Sequence, residues 1–104
     1  ISLMVYVLDD WFRNITPTKF FDSLACGVPV IISDMGGIRE LMGDRPGGVV
    51  VDSLEPEALA AAIERMMADR ETRLTMARNG LALVKESCNW GVMEKRLLEA
   101  YENL

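Results

Sequence analysis

Three apolar runs, separated by segments with helical patterns, constrain the fold of this chain more than any other feature. Leu3 to Leu8 (LMVYVL) and Val28 to Ser33 (VPVIIS) lack polar alternation, which is typical of strands covered on both faces in a parallel sheet. Gly48 to Val51 predicts a third, shorter strand. Because right-handed crossovers through helices make successive strands parallel, the sequence predicts an α/β fold with a short parallel sheet.

The first two helices have clear start and stop signals. Thr16 offers a hydroxyl as N-cap, Pro17 follows at the first helical position, and Gly27 is the expected stop. A glycine turn at Asp34 to Gly37 leads into a short helix over Ile38 to Met42, which the next glycine ends. The first helix is expected to pack through Phe20, Phe21 and Leu24.

The rest of the chain predicts three amphipathic helices, because apolar residues recur with the helical period. Pro56 begins the first, Glu71 to Glu86 forms the second, and Trp90 to Leu104 forms the third. Gly80 is a weak point in the second helix. The expected packing faces are Leu59, Ala62, Ile63, Met66 and Met67 in the first, Leu74, Ala77, Leu81 and Val84 in the second, and Trp90, Met93, Leu97, Tyr101 and Leu104 in the third.

The predicted sheet is small for its class. Three strands are few for a sheet with helices on both faces, so we expect at least one edge strand to lack its natural neighbour. The chain also begins inside an apolar run without a methionine. We therefore expect residues 1–104 to form a single partial domain. The uncovered strand edge and the last helix should favour self-association.

Composition and charge argue against several functions. The net charge is -5 and no Lys/Arg cluster is present, which argues against nucleic-acid binding. No apolar run approaches the roughly 20 residues that span a bilayer. The chain has no His, and Cys26 and Cys88 lack metal-ligand spacing, so no metal or other cofactor is predicted. Cys26 is expected to be a small buried residue, and cysteine usage favours a reducing, cytoplasmic location.

Candidate binding residues follow the strands, since ligands of open parallel sheets bind at the carboxyl ends of the strands. The loops expected there are residues 9–18, 34–39 and 52–57. In the first loop, Thr16, Thr18 and Lys19 gather at a helix N-terminus, whose free N–H groups suit a phosphate. In the second, Gly36 and Gly37 let the backbone approach a ligand closely. Each feature alone is more readily explained as a helix cap or a turn.

A longer pattern adds to these local signals. In family 4 (group 1) glycosyltransferases of the GT-B fold, two Glu residues are separated by seven others. The second Glu leads into the run Ala-x-Ala-Cys-Gly-x-Pro-Val-Ile-Ala-Ser. Two or three residues later come a Gly-Gly pair and a further Glu. The stretch DSLACGVPVIISDMGGIRE, from Asp22 to Glu40, resembles that pattern, and Pro17 to Lys19 resembles the Pro-x-Lys of one subgroup. Later landmarks in the family's order are Gly47 to Asp52, Glu57 to Ile63, Arg78 to Gly80 and Cys88 to Trp90. The resemblance covers nearly the whole chain.

The resemblance implies a fold and a reaction. The implied fold is a Rossmann-like three-layer α/β arrangement, the C-terminal part of a GT-B domain, which binds a nucleotide-diphosphate sugar. The implied reaction is retaining transfer of a hexosyl group to an acceptor hydroxyl without a metal, because helix dipoles and basic residues stabilise the leaving diphosphate. The catalytic groups and the N-terminal partner region would lie outside this chain, so the isolated chain is expected to be inactive. The intact enzyme would be cytoplasmic or peripheral to the inner membrane.

The resemblance also assigns roles to residues. Asp22 stands at the second acidic position, which accepts hydrogen bonds from ribose hydroxyls, although Asp is one methylene shorter than the usual Glu. Read locally, Asp22 is an exposed helix residue paired with Lys19. Asn14 replaces the first acidic residue and can still hydrogen-bond a donor-sugar hydroxyl. The other implied donor contacts are Ile15, Thr16, Pro17 and Thr18 near the diphosphate, Lys19 on phosphate or sugar, and Gly36, Gly37 and Glu40 in secondary roles.

Two alternatives stay open. A nucleotide-sugar epimerase with a GT-B fold would use the same nucleotide pocket. A receiver-like or structural α/β module is suggested by Asp9 and Asp10 at a strand end, with Asp52 after a later strand. However, no Lys follows a later strand at the place that a receiver requires.

Overall fold

The three predicted strands form one parallel sheet in a computed structural model that describes residues 1–104. The strands are β1 (Ser2–Met4), β2 (Val30–Ser33) and β3 (Gly48–Val51), in the spatial order β1-β2-β3. Both neighbouring pairs are parallel, and Ile32 of β2 lies between Met4 and Val50. The predicted parallel α/β fold is confirmed.

Five α-helices follow or connect the strands. They are α1 (Thr18–Ala25), preceded by a 3₁₀ turn at Phe12–Asn14, then α2 (Ile38–Met42), α3 (Pro56–Ala68), α4 (Arg70–Glu86) and α5 (Trp90–Glu102). Pro56 opens α3 as predicted, since a missing N–H costs nothing at a first helical position. Asp69 and Asn89 begin α4 and α5, and each side chain accepts a hydrogen bond from the backbone N–H three residues later.

The central strand β2 faces a helical layer on each side. Val30 and Ile32 join a larger core cluster with α1 and α2, whereas Ile31 joins a smaller cluster with α3. The larger cluster also contains Met4, Phe20, Leu24, Met35, Ile38 and Met42, and the smaller one also contains Ala62 and Met66. Because successive strand residues point to opposite faces, this alternation creates the predicted three layers.

Gly80 has a packing role that the sequence pattern missed. It is buried in α4, which packs against α1. A methyl group on Gly80 would lie 2.9 Å from Cδ2 of Leu24, so glycine lets the two helices approach closely. The predicted weak point of α4 is therefore a helix contact. The predicted packing face of α4 is wrong at Leu74 and Leu81, which are 44% and 45% exposed.

The strand β1 is shorter than predicted. The apolar run stops pairing at Met4, and Leu3 and Val7 are 54% and 73% exposed. The cause lies in Ser33, whose hydroxyl accepts a hydrogen bond from the N–H of Tyr6 (2.9 Å) and donates to the carbonyl oxygen of the same residue (3.2 Å). The Ser33 hydroxyl thus takes the place of the next backbone hydrogen bonds between β1 and β2. The prediction that this run is covered on both faces is wrong.

The start of α1 also differs from the prediction, whereas Gly27 follows its C-cap with a φ of 69°, as expected of a helix stop. Pro17 is the N-cap and Thr18 the first helical residue. The Thr16 hydroxyl makes no cap bond, because it donates to the backbone of Gly36 instead. Cys26 is exposed, so its predicted burial is wrong. It lies two residues, or roughly half a turn, beyond the last buried position of α1, on the face away from the core.

The helix α5 and the outer edge of β1 are the main exposed apolar surfaces. No residue of α5 is buried, and Trp90 and Tyr101 are 69% and 67% exposed. The strand β1 pairs only with β2, so its other edge is open. No helix of the chain combines the length and the apolar character needed to cross a bilayer.

Candidate functional site

The loops that follow β1 and β2 are hydrogen-bonded to each other at the carboxyl edge of the sheet. The Thr16 hydroxyl donates to the carbonyl oxygen of Gly36 over 2.6 Å, and the Gly36 N–H donates to the carbonyl oxygen of Arg13 over 2.9 Å. Gly36 adopts a φ of +52°, and a methyl group on it would lie 2.5 Å from Oγ1 of Thr16. Glycine is needed here on both counts. The structure thus places two of the predicted donor residues, Thr16 and Gly36, in direct contact.

Arg39 links the loop after β2 to the loop after β3. Its Nε lies 3.1 Å from Oδ2 of Asp34 and its Nη2 lies 2.8 Å from Oδ1 of Asp52. The hydrogen bond that Arg39 donates to Asp34 and the charges of both carboxylates raise the pKa of Arg39 above its ordinary value, so it stays charged. Because all three groups are partly exposed, the pairs contribute modestly to stability. Sequence reasoning missed this contact, since residues 13 positions apart gave no signal of proximity.

The start of α1 presents unpaired hydrogen-bond donors to solvent. Pro17 has no N–H, and the backbone N–H groups of Thr18 and Lys19 have no hydrogen-bond partner. The side chains of Thr18, Lys19 and Asp22 are exposed. Since Thr18 and Asp22 are four residues apart, they lie on one face of the helix. This end of α1 can therefore bind an anion and offer a carboxylate beside it.

Lys19 and Asp22 do not form the ion pair that the local reading suggested. No ion pair of the chain includes either residue. The ammonium of Lys19 lies 5.4 Å from the ring centroid of Tyr6 instead, within the range of a cation–π contact. The carboxylate of Asp22 is left free to accept hydrogen bonds from a ligand.

The remaining predicted residues surround this helix start. The Asn14 amide group donates to the carbonyl oxygen of Asp10 over 3.1 Å, which leaves its side-chain oxygen available. Ile15 is half-buried and packs against the larger core cluster. Gly37 is the N-cap of α2 with a φ of 72°, and the exposed Glu40 follows in the first turn of that helix.

Asp9, the first residue of the acidic pair that follows β1, has a structural role. Oδ1 of Asp9 accepts hydrogen bonds from the N–H groups of Trp11 (3.0 Å) and Phe12 (2.8 Å) and so caps the 3₁₀ turn. Asp9 therefore orders the loop that leads to the candidate site. The structure contains no group of three or more His, Cys, Asp or Glu side chains placed to hold a metal ion.

A shallow depression of about 140 Å³ lies where the chain leaves the three strands. Its lining residues are Tyr6, Leu8, Ser33, Val51, Asp52 and Leu54. The candidate site thus combines a concave edge of the sheet with the exposed start of α1. Both lie at the carboxyl ends of the strands, where ligands bind in open parallel sheets.

One family model matches the part of the chain that contains the start of α1. The sequence model of the family described as "Glycosyl transferases group 1" matches residues 13–82. This chain belongs to the group 1 glycosyltransferases. The matched range contains every predicted donor residue from Asn14 to Glu40.

Curated relatives of this glycosyltransferase chain carry the same kind of name. A D-inositol 3-phosphate glycosyltransferase from Thermomonospora curvata is 31% identical over 80 residues, which cover 77% of this chain and 18% of that protein. The protein of the same name from Paenarthrobacter aurescens is 31% identical over 105 residues, covering 90% of this chain and 26% of the relative. This chain spans about a fifth to a quarter of the length of these relatives.

A solved structure shows the same fold. Sucrose-phosphate synthase from Thermosynechococcus elongatus matches with a TM-score of 0.75 and 30% identity, over 85% of this chain and 22% of that one. The fold of this glycosyltransferase chain is the Rossmann-like α/β fold of GT-B enzymes, as predicted. These likenesses favour neither the epimerase nor the receiver-like alternative.

Proposed function

We propose that this chain is the nucleotide-sugar-binding part of a family 4 GT-B glycosyltransferase, within its C-terminal domain. In the intact protein it binds a nucleotide-diphosphate sugar, and the enzyme transfers a hexosyl group to an acceptor hydroxyl with retention at the anomeric carbon. Relatives named D-inositol 3-phosphate glycosyltransferase support an acceptor that carries hydroxyl groups. Residues 1–104 are then one partial domain, and the catalytic groups belong to the rest of the protein.

One observation carries this proposal: the start of α1 presents donors and a free carboxylate on the same exposed side. The unpaired N–H groups of Thr18 and Lys19, together with the Lys19 ammonium, offer positive charge to a diphosphate. The unpaired carboxylate of Asp22, about one turn further, is acceptor-only when ionised and suits two ribose hydroxyls. The diphosphate and the ribose of a nucleoside diphosphate would thus each have complementary groups on this side of α1.

The same groups support the chemistry of the leaving diphosphate. Negative charge develops on the diphosphate as the glycosidic bond to the donor sugar breaks. Fixed N–H dipoles and a lysine stabilise such charge without reorganising at the moment of reaction. We assign this task to the backbone N–H groups of Thr18 and Lys19 and to the Lys19 ammonium, without a metal, since the Ile15 N–H already donates to Phe12 and Pro17 has no N–H. Asn14 is left to hydrogen-bond the donor sugar.

Calorimetric titration of the intact protein with UDP, GDP and ADP in turn tests the nucleotide site. Asp22→Ala should weaken binding of the preferred nucleotide by about 1.5–3 kcal/mol, because a charged hydrogen-bond acceptor is lost. Glu64→Ala is the matched control, since it removes an exposed carboxylate without an ion pair from α3. Unchanged affinity in the Asp22 variant would remove Asp22 from the ribose role. Absence of binding by all three nucleotides would overturn the proposal.

Steady-state kinetics at low and high salt test Lys19. Lys19→Ala should raise the donor KM at low salt, and high salt should mask part of the difference because screening weakens the phosphate contact. Lys85→Ala removes an exposed lysine from the last turn of α4 and serves as the control. Wild-type kinetics of the Lys19 variant at low salt would make Lys19 an ordinary solvated surface residue.

A further inference from the structure

Tyr6 lies outside the predicted donor residues, yet its position is fixed from two sides. Its backbone N–H and carbonyl oxygen both bond to the hydroxyl of Ser33, which is only 1% exposed. Its ring stacks on that of Phe12, with centroids 5.2 Å apart and planes inclined by 25°. A residue held through both its backbone and its ring is a rigid support for whatever rests on it.

The Lys19 side chain lies over the Tyr6 ring. Its ammonium lies 5.4 Å from the centroid of the Tyr6 ring, and no carboxylate forms an ion pair with it. An aromatic face attracts the ammonium without neutralising it. A carboxylate partner would instead compete with a phosphate for the same charge. The ring therefore orders the lysine and leaves its charge available.

We propose that Tyr6 is a positioning residue, whose ring holds the Lys19 ammonium beside the start of α1, ready for the diphosphate of the donor. This inference rests on the proposed donor site. A free lysine side chain loses considerable rotamer freedom when it binds a phosphate. Because Tyr6 already restricts these rotamers in the unliganded protein, Lys19 loses less rotamer entropy when a phosphate binds. The affinity for the phosphate is therefore higher.

The test measures the dissociation constant of the preferred nucleoside diphosphate for variants of the intact protein. Tyr6→Leu removes the aromatic face and should weaken binding roughly two- to five-fold, which corresponds to an exposed cation–π contact. Tyr6→Phe keeps the face and should bind like the wild type. In a Lys19→Ala background, Tyr6→Leu should cause no further loss, because the group that Tyr6 positions is absent.

A spectroscopic readout separates positioning from general stability. In protein labelled with ¹³C-lysine, the ε-methylene protons of Lys19 should be shifted upfield by the ring, with Lys19→Ala identifying the signal. Tyr6→Leu should abolish the shift and Tyr6→Phe should retain it. A thermal unfolding curve for each variant shows whether Tyr6→Leu also loosens the fold. If it does, the Tyr6→Phe variant and the coupling with Lys19 still decide the question.

The outcomes distinguish this inference from the proposed function. If Lys19→Ala weakens nucleotide binding and Tyr6→Leu does not, the positioning role is overturned and the donor site stands. Equal losses from Tyr6→Leu in the presence and absence of Lys19 would also overturn it. If Lys19→Ala has no effect on binding, the proposed phosphate contact of Lys19 is wrong and the role of Tyr6 in donor binding falls with it.

Discussion

Replacing Gly36 by alanine disturbs the junction between the two loops of the candidate donor site. Gly36 has a φ of +52°, and an added methyl group would lie 2.5 Å from the carbonyl carbon of Ile15 and 2.5 Å from Oγ1 of Thr16. The Thr16 side chain can rotate, but Ile15 contributes backbone atoms that cannot. The loops must therefore separate, and the hydrogen bonds from Thr16 to Gly36 and from Gly36 to Arg13 are lost.

The expected cost follows from these contacts. A left-handed backbone conformation costs a residue with a Cβ roughly 1–2 kcal/mol. Each of the two hydrogen bonds contributes about 0.5–1.5 kcal/mol net. The Gly36→Ala substitution should then destabilise the native loop arrangement by roughly 2–5 kcal/mol, a large fraction of the about 5–15 kcal/mol that stabilises a typical domain. Affinity for the nucleoside diphosphate should fall as well, because the separated loop carries Ile15 to Thr18.

Chemical denaturation of the intact protein measures this cost, and Gly27→Ala is the matched control. Gly27 also has a positive φ of 69°, but a methyl group there would meet only the Leu81 side chain, at 3.5 Å from Cδ1 and 3.8 Å from Cγ, which are ordinary contacts. The control should therefore lose only the conformational part, roughly 1–2 kcal/mol. If Gly36→Ala lowers the denaturation midpoint no more than Gly27→Ala does, the close approach of the loops does not hold them together, and the reasoning fails.

Two further predictions concern the edges of the molecule. The side-chain hydroxyl and backbone N–H of Thr72 donate to Asp69, the N-cap of α4, and hold its pKa below the ordinary value. Because a lowered native pKa adds stability above the unfolded pKa of about 3.9, this stabilisation should fade as the pH falls below about 4. Thr72→Val should bring the pKa of Asp69 closer to its ordinary value, which NMR titration of Asp69 would reveal. An unchanged titration would contradict the role of Thr72. The isolated chain 1–104 should self-associate through the open edge of β1 and the exposed Trp90 and Tyr101 of α5, and a strictly monomeric species in light scattering at micromolar concentration would show that these surfaces do not need covering.

The sequence by itself determined the architecture. Apolar runs without polar alternation are typical of strands in parallel sheets and predicted all three strands, and the bounds of α2 and β3 emerged as predicted because glycines mark them. The helix that begins at Pro56 followed equally from local chemistry. These features depend on residues adjacent in the chain, so a pattern suffices to predict them.

Only the tertiary structure decided how the loops and side chains of the candidate site are arranged. The Ser33 hydroxyl ends β1 early, and the Thr16 hydroxyl joins a second loop where the pattern predicted a helix cap. Arg39 pairs across loops, and Lys19 lies over Tyr6 and not beside Asp22. A hydroxyl or an ammonium has several partners of similar energy within reach, and the partner it binds is the one that packing brings within about 3 Å, or about 6 Å for a ring. That choice depends on residues distant in the sequence, which no local pattern records.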